Sequence, residues 1–558
     1  MIAREETKRR FPPELVATLL VLAAYLIWML WVPAWPSQDG PVHLYYADVF
    51  GKLLGHSDPA LNQYFQIRHL LPPYALYYYA LVGLSNFVSP FLADRLIICC
   101  YLVSFVFGFR FAAKRLGRSA ETTTLFATLL LLNWPLGMGF VNYCLALSFA
   151  LWGLGLWLRF DERQDGWLRA GFIVLAFVTM LTHPVPLMLM LGLCTVLLFA
   201  DLAAARWSRG AVGSSRLWKR DVFTLLASGL TLIYIKLFTT AHPLQEVLPE
   251  TGTFAVRVVH RAARLAKEDG MAALFGPFLA TRIYRIALAI LLIACIAIGV
   301  RQIFRSFRSR RWLPGDTIFL LGLLLLIALP FIPLDLNGLF YFADRLSLLV
   351  WLTLLLAASR SKIFSAAMPG PAARDRARVA AIVFAVVANG ALLVAMTVVV
   401  VPISRDIAAV EAAPVSVAKQ VGFIMEDPRQ PNGWSNAPSW DPYYWAAIHV
   451  IRHNDAILAN APWMDETILP VGPGAVLPEE TIAVLQTPVP GHLYGELIAA
   501  PEQRLRAMSA VNFFVVQQYN RTALTVANDP ISELERGIPG RWDCGNGVAE
   551  WYRLCRRR

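Results

Sequence analysis

The feature that most constrains this chain is a series of apolar runs, each about long enough to cross a lipid bilayer. A spanning helix needs about 20 mostly apolar residues, and the first such run extends from Glu14 to Val32. With 57% hydrophobic and only 16% charged residues, the chain has the composition of a polytopic membrane protein, which excludes a soluble domain, a disordered chain, a collagen and a coiled coil. Ten further spans are predicted at 92–113, 121–133, 138–158, 169–182, 184–201, 221–239, 283–300, 316–333, 340–358 and 380–402.

The distribution of Lys and Arg predicts the orientation of the spans. Of the 50 basic residues, 26 lie in the N-terminal tail and in the loops on one side, whereas the short turns on the other side hold none. Because cytoplasmic loops are enriched in Lys and Arg, we expect insertion in the inner (cytoplasmic) membrane with a cytoplasmic N-terminus and a periplasmic C-terminus. The net charge of +12 is then largely a topology signal. Since the basic loops lack interleaved aromatic residues, no nucleic acid is expected as a partner.

A shorter apolar stretch, Tyr74 to Val88, is predicted to be a re-entrant or juxtamembrane helix. It follows two prolines and is rich in Tyr, and counting it as a span would invert the side of every later loop. The sequence therefore predicts an α-helical polytopic protein with about eleven spans. Three exterior regions are large enough to hold chemistry, at 34–91, 240–282 and 403–558.

The chain is expected to divide into a transmembrane domain over 1–402 and an extracytoplasmic domain over 403–558. The second domain begins with a helix-like stretch at 415–425 and continues with short strand-like runs between clusters of Pro, Gly and Asn. We expect a small α/β domain. The strand-like runs are 456–459, 481–485 and 513–517.

Two of the seven cysteines, Cys544 and Cys555, lie in the C-terminal domain, and the other five lie within apolar runs. A close pair of cysteines in an oxidising compartment suits a disulfide. We predict a Cys544–Cys555 bridge, with two unrelated free thiols as the alternative. No Cys or His spacing typical of zinc occurs.

The first exterior loop carries the strongest candidate site. Asp39 precedes Pro41, a residue type common in the first helical turn, and His43 follows one turn later on the same side. An acid/base residue and an imidazole would then converge, as general base catalysis requires. An Asp at this position also begins helices by capping free N–H groups, so spacing alone leaves both roles open. A carboxylate and an imidazole at a membrane face are costly unless used or paired, which favours function.

Several motifs of the first 160 residues occur in a recognisable order. The acidic Asp39 follows the first span, and an aromatic helix led by His69-Leu-Leu-Pro-Pro-Tyr comes next. Ala93-Asp-Arg95-Leu then opens a span that ends in Lys114-Arg-Leu-Gly-Arg118. Over roughly residues 10 to 160 this order resembles the GT-C superfamily of polytopic membrane glycosyltransferases, and the many spans followed by an extracytoplasmic domain resemble it in architecture.

The resemblance implies a function. Members move a sugar from a polyprenyl-phosphate donor to a lipid-linked or polymeric glycan acceptor on the outer face, and Asp39 would be the base that deprotonates the acceptor. The expected role is synthesis or modification of an envelope glycan. Many members carry two adjacent acidic residues here, whereas this chain has Gln38-Asp39. A divalent metal such as Mg or Mn, with Asp39 and His43 as its only candidate ligands, is left open.

A lipid-phosphate donor needs cationic or N–H groups near the outer membrane face. Arg345 begins the tenth span on that side, either as a phosphate contact or as the partner of Asp344 or Asp335 in an intramembrane ion pair.

Three further residues are candidate substrate contacts. Arg68 and His69 precede the re-entrant helix and are either phosphate contacts or interfacial anchors, and His183 lies at an exterior turn where a helix-ending role is the alternative. Two other functions stay open. A lipid or glycan transporter or flippase would carry inverted repeats and a midplane site, and a non-catalytic assembly protein would keep the scaffold without the chemistry.

Overall fold

A computed structural model of the chain is predominantly helical. It describes residues 11–55, 65–67, 70–160, 166–207, 282–332, 342–361 and 371–412, six short strands after residue 419, and a few single positions between 229 and 259. The exterior region at 240–282 therefore lies almost wholly outside the described residues.

Thirteen α-helices occur in the part of the chain that the structure describes up to residue 412. They are α1 (Pro13–Trp31), α2 (Gly40–Leu54), α3 (Ala75–Ser85), α4 (Pro90–Leu116), α5 (Ala120–Ala127), α6 (Trp134–Gly137), α7 (Val141–Arg159), α8 (Gly166–Thr182), α9 (Pro184–Trp207), α10 (Arg282–Ser309), α11 (Pro314–Ala328), α12 (Phe342–Ala358) and α13 (Pro371–Ala412).

Seven helices among the described residues are long and apolar enough to cross a membrane. They are α1, α4, α7, α9, α10, α11 with its following 3-10 turn, and α13. Helix α8 is an apolar helix of 17 residues, and α12 has the same length. The chain is thus a multi-pass membrane protein by helix length and composition, although the expected count of about eleven spans is not reproduced. The predicted span at 221–239 lies outside the described residues apart from isolated positions.

The run 121–133, predicted as one span, is not a continuous helix. Helix α5 ends at Ala127 and passes into a 3-10 turn at Thr128–Leu130. The hydroxyl of Thr128 donates to Leu125 O at 2.6 Å, and Asn133 caps the next helix by accepting from the Leu136 N–H at 2.9 Å. Side chains that bond to nearby backbone compete with helix continuation. Hydropathy measures only how apolar the run is, so it did not reveal these breaks in the helix.

The segment between α1 and α4 leaves and returns at the same end of the helix bundle. Arg95, in the second turn of α4, donates to Leu30 O at 2.8 Å and to Val32 O, both at the C-terminal end of α1. Helix α3, whose 11 residues are too few to span, therefore lies in an excursion that does not cross. This is the geometry that the re-entrant interpretation requires.

Helices α4 and α7 form the centre of the bundle, where Tyr101, Phe105 and Phe109 of α4 are fully buried. A Cβ on Gly108 would lie 2.9 Å from the Trp152 ring and 3.0 Å from Ser148 O of α7. A small residue here lets the two helices approach closely, as is common in membrane helix pairs.

Charged pairs fix the ends of the bundle that carry the basic loops. Glu14 of α1 binds Arg378 of α13 through two nitrogens, and the fully buried Asp316 of α11 binds Arg360 after α12. Asp316 also accepts from Ser306 Oγ at 2.8 Å and from the Leu313 N–H at 2.9 Å. Removing the partner of the fully buried Asp316 would strongly destabilise the protein, whereas the pair of Glu14 with the half-exposed Arg378 contributes less because water screens it.

Seven short strands are described. Strand β1 (Phe65–Ile67) pairs antiparallel with β4 (Ile468–Pro470), which links the first exterior loop to the C-terminal region. A second sheet has the order β3-β2-β5-β7-β6 and mixes parallel and antiparallel pairs. Its strands are β2 (Gln420–Met425), β3 (Ile457–Leu458), β5 (Phe513–Gln517), β6 (Trp542–Cys544) and β7 (Tyr552–Arg557).

The helix expected over 415–425 is wrong for residues 420–425, which form β2 at an inner position of the sheet. A short apolar run of this kind does not distinguish helix from strand by periodicity, and its two-sided pairing decides for strand. The run 513–517 coincides with β5, and 456–459 contains β3. The run 481–485 lies outside the described residues.

We predict that Cys544 and Cys555 form a disulfide, because the register of β6 and β7 sets these two residues directly opposite each other. Cα atoms of opposed antiparallel residues are about 4.5–5.5 Å apart, a separation that a disulfide spans. Alkylation after denaturation without reductant should leave both thiols unlabelled. The Cys544→Ser variant should expose Cys555 to labelling, and labelling of both cysteines in the unreduced parent protein would rule the bridge out.

Candidate active site

Asp39 immediately precedes α2, and its side chain does not cap that helix. Its residue is only 3% exposed, and its Oδ1 atom has no hydrogen-bond partner among the described residues. The adjacent Ser37 Oγ is likewise buried without a described partner. The capping alternative is therefore not what the structure shows, because the side chain makes no capping hydrogen bond. Buried carboxylate oxygens normally find donors, so Oδ1 is left as an open acceptor in a buried position.

The loop at 133–140 holds the backbone of Asp39 in place. The N–H of Gln38 donates to Gly137 O at 3.1 Å, and that of Asp39 donates to Met138 O at 3.0 Å. Gly139 has a φ of +90°, and a Cβ built on it would lie 2.6 Å from Gly40 N and 2.9 Å from Asp39 N. Only glycine tolerates both the backbone conformation and this close approach. The position of the carboxyl group therefore depends on a segment about 100 residues away in sequence.

Arg345, in the first turn of α12, supplies the positive charge near Asp39. Its Nη1 lies 3.2 Å from His183 Nε2, and its guanidinium lies 4.0 Å from the centroid of the Phe140 ring. Its Nε has no partner among the described residues. Stacking fixes the plane of the guanidinium and leaves N–H groups for an anion.

The alternative of an ion pair between Arg345 and a neighbouring aspartate is only partly tested. The described residues contain no salt bridge between Arg345 and Asp344, whereas Asp335 lies outside them. Tyr143 of α7 contacts Arg345 twice, since its hydroxyl donates to Arg345 O at 2.9 Å and its ring centroid lies 5.7 Å from the guanidinium. This contact anchors the start of α12 to α7.

His43 lies one turn into α2, and its Nδ1 is 2.8 Å from the Tyr78 hydroxyl. The Tyr77 ring meets it edge-on with the ring centroids 5.8 Å apart. Burial, followed by the positive charge of Arg345, lowers the pKa of His43 to about 4. The imidazole is therefore neutral near pH 7 and offers one hydrogen-bond donor and one acceptor.

The pKa of Asp39 is raised well above its usual range because burial disfavours the charged carboxylate. The Arg345 charge and a hydrogen bond from Gln38 act in the opposite direction and lower it. A carboxyl group with a raised pKa is a stronger proton acceptor once it is ionised. The arrangement thus joins a basic carboxylate, a fixed cation and a neutral imidazole.

His183 caps the start of α9, because its Nδ1 accepts from the Val185 N–H at 3.2 Å. A neutral imidazole has a single acceptor nitrogen, so His183 does not accept from Val185 and Arg345 at the same time. The helix-ending role expected as the alternative is therefore present, and the contact with Arg345 depends on the tautomer. Burial and the Arg345 charge lower the pKa of His183 well below its usual value.

Of the residues selected from the sequence, the structure brings Asp39, His43, His183 and Arg345 together at one end of the bundle. Arg68 and His69 lie outside the described residues. The sequence did not predict the aromatic rings of Phe140 and Tyr143 beside Arg345 or the role of Gly139. The sequence signal for this loop is the pair of glycines in Gly-Met-Gly-Phe at 137–140, which lie beside the start of a helix.

A metal site is not assembled from the described residues around Asp39. No group of three His, Cys, Asp or Glu side chains with suitable spacing occurs among them. Asp48, the nearest further acid on α2, binds Lys52 at 2.5 Å. Asp39 and His43 would supply two ligands, and substrate phosphate oxygens and water would have to complete the coordination of a divalent ion.

Comparison with solved structures shows the fold. The apo structure of ArnT from Cupriavidus metallidurans matches with a TM-score of 0.50 at 10% identity, covering 98% of each chain. At 10% identity this match shows a shared fold, which agrees with the fold expected from the resemblance in the sequence.

Two further structures match less well. ArnT from the same organism bound to undecaprenyl phosphate has a TM-score of 0.49 at 11% identity, covering 96% of this chain and 97% of that chain. The arabinofuranosyltransferase AftD from Mycobacteria has a TM-score of 0.49 at 15% identity, and the match covers 98% of this chain but 40% of that chain. No family model and no curated protein matches the sequence.

Gly139→Ala is expected to displace Asp39, because the added Cβ would meet the backbone at Asp39–Gly40 and the φ of +90° disfavours a side chain. The backbone conformation alone should cost about 1–2 kcal/mol, visible as a lower unfolding temperature in detergent. Gly192→Ala in α9 is the control, since its Cβ would meet nothing within 4 Å. Equal unfolding temperatures for the two variants would show that Gly139 does not position the loop.

Proposed function

We propose that this protein is an integral membrane glycosyltransferase. It transfers a sugar from a polyprenyl-phosphate-linked donor to a lipid-linked or polymeric glycan acceptor outside the cytoplasm. The observation that carries the proposal is the buried, uncapped carboxyl of Asp39 within electrostatic reach of Arg345. The GT-C fold supports the same reaction class by analogy alone.

In the proposed reaction Asp39 removes the proton of an acceptor hydroxyl. The oxygen attacks the anomeric carbon of the donor sugar, and the bond from that carbon to the phosphate oxygen breaks. The electron pair leaves with the polyprenyl phosphate, whose growing negative charge needs a cation. Arg345 supplies it, and its Nε–H has no partner among the described residues.

The neutral imidazole of His43 complements these two charges. It offers the substrate a hydrogen bond without adding a charge, since its pKa of about 4 leaves it uncharged near pH 7. Tyr78 holds the ring through Nδ1 at 2.8 Å. His183 is proposed to orient Arg345, and Arg68 and His69 are proposed as further donor contacts.

The remaining assignments belong to the same proposal. The transmembrane domain over 1–402 would hold the donor, and the extracytoplasmic domain over 403–558 would bind the acceptor glycan. The antiparallel pairing of β1 with β4 brings the backbones of the first exterior loop and the C-terminal region together, which supports joint recognition. The site would face the periplasm from the inner membrane, with the N-terminus in the cytoplasm.

Asp39→Asn is expected to lower sugar transfer by about 10²–10⁴-fold, the usual contribution of a general base. The assay follows release of polyprenyl phosphate from polyprenyl-phosphate-linked pentoses and hexoses in proteoliposomes. Asp48→Asn is the matched control, because Asp48 lies on α2, the helix that Asp39 precedes, and pairs with Lys52. His43→Ala should reduce sugar transfer by a smaller factor than Asp39→Asn does.

The outcomes separate the proposal from its competitors. Full activity of Asp39→Asn would remove Asp39 from the chemistry. Movement of labelled lipid across the bilayer without bond cleavage would indicate a transporter or flippase. No transfer and no movement, with a phenotype that Asp39→Asn preserves, would indicate an assembly protein.

The acidic limb of the kcat/KM profile is expected to report the ionisation of Asp39. A base must be deprotonated to act, so activity falls as pH drops through the raised pKa of this carboxyl. Because the Arg345 charge lowers that pKa, Arg345→Gln should move the limb to higher pH. The profile is measured as kcat/KM for the acceptor at saturating donor. An acidic limb at the same pH in Arg345→Gln as in the parent protein would contradict the electrostatic coupling between Arg345 and Asp39.

A further inference from the structure

An apolar groove of about 560 Å³ opens between α9, α10 and α11. Helix α9 starts at the end of the bundle that carries Arg345, since His183 precedes it. The groove is lined by the second half of α9, so it lies towards the opposite end. The lining includes Val196, Ala200, Phe307, Trp312, Leu321 and Leu324.

Three exposed arginines lie between two of the lining residues in sequence. Arg308, Arg310 and Arg311 occupy the turn from Phe307 to Trp312, and all three are exposed. None of them forms an ion pair with a described residue. The nearest buried acid, Asp316, is already bound by Arg360. The groove therefore ends in positive charge that the described part of the protein does not neutralise.

Arg310 occupies a backbone position that normally belongs to glycine. Its φ is +49°, and the N–H groups of Arg310 and Arg311 donate to Phe307 O at 3.2 Å and Ser306 O at 3.1 Å. These two bonds define a Schellman motif, in which the left-handed residue is usually Gly. Keeping a side chain here carries a backbone penalty. The penalty is understandable if the guanidinium binds a ligand.

We propose that this groove and turn form a binding site for an anionic phospholipid. The phosphate of the headgroup binds Arg308, Arg310 and Arg311, and an acyl chain lies in the groove against Phe307 and the alanine and leucine side chains. Trp312 marks the level of the membrane interface, where tryptophan is enriched, and its Nε1 donates to Thr317 Oγ1 at 2.9 Å. The site is separate from Asp39 and does not rest on the proposed transferase activity.

The chemistry of the groove favours lipid over an acidic protein. An acidic protein partner could bind the arginines, but it would leave the apolar groove within the bilayer unfilled. Arginine at the end of α10 also complements the helix dipole, but that role requires no lipid and does not use the groove. Basic residues beside a groove between spanning helices are a recurring setting for anionic headgroups.

The test compares phosphatidylglycerol with phosphatidylcholine as probes of the purified full chain in detergent. Binding of each lipid is measured by native mass spectrometry, together with the shift in unfolding temperature. We expect phosphatidylglycerol to bind and stabilise selectively. Arg308→Gln with Arg311→Gln should weaken its binding roughly 30-fold, from about 1 kcal/mol for each arginine. Arg159→Gln with Arg169→Gln, an equal change of charge near the α7–α8 connection, should leave it unchanged.

Two single variants keep the test independent of folding defects. Arg310→Gly relieves the left-handed backbone, so it should retain or raise stability while losing selectivity for phosphatidylglycerol. Ala200→Trp should fill the groove and displace the lipid with every arginine in place. Equal binding of the two lipids, or unchanged selectivity in both the double arginine variant and Arg310→Gly, would overturn the site. Unchanged binding in Ala200→Trp would exclude the groove.

Discussion

The burial of the Asp39 carboxyl within electrostatic reach of the Arg345 guanidinium is the constraint on which the rest of the site depends. Removing a carboxyl group and a guanidinium from water is costly, so the surrounding backbone must hold both of them in place. The required backbone comes from distant segments, because Gly137 and Met138 accept hydrogen bonds from the chain at Asp39. Phe140, from the same loop, stacks on Arg345. One loop therefore positions both members of the charge pair.

The two ends of the bundle use charge in different ways. At the end opposite the site, Asp316 has its oxygens occupied by Arg360, Ser306 and the Leu313 N–H. At the site end, atoms of Asp39 and Arg345 are buried without described partners. A satisfied network fixes helices, whereas buried groups with spare hydrogen-bonding capacity are suited to a ligand. The contrast is between two buried carboxyl groups: that of Asp316 is saturated by packing contacts, whereas that of Asp39 keeps an acceptor oxygen for a ligand.

Sequence reasoning predicted the features that depend on local composition. The apolar runs located α1, α4, α9 and α10, and a short strand-like run between clusters of Pro, Gly and Asn located β5. The spacing of Asp39 and His43 placed Asp39 at the start of α2 and His43 in its first turn. It did not predict the contact of Arg345 with His183, because 162 residues separate them. The break in the helix at 121–133 was not predicted, because hydropathy does not reflect hydrogen bonds from a hydroxyl to a backbone carbonyl, such as that of Thr128.

The most direct measurement of the central claim is a cryo-EM structure of the full chain in a lipid nanodisc with a polyprenyl phosphate added. If Asp39 and Arg345 form one transfer site, the phosphate will lie within hydrogen-bond distance of the Arg345 guanidinium, with room for an acceptor hydroxyl beside Asp39. A phosphate bound elsewhere on the bundle, with the Asp39 carboxyl closed off by protein, would contradict the assignment.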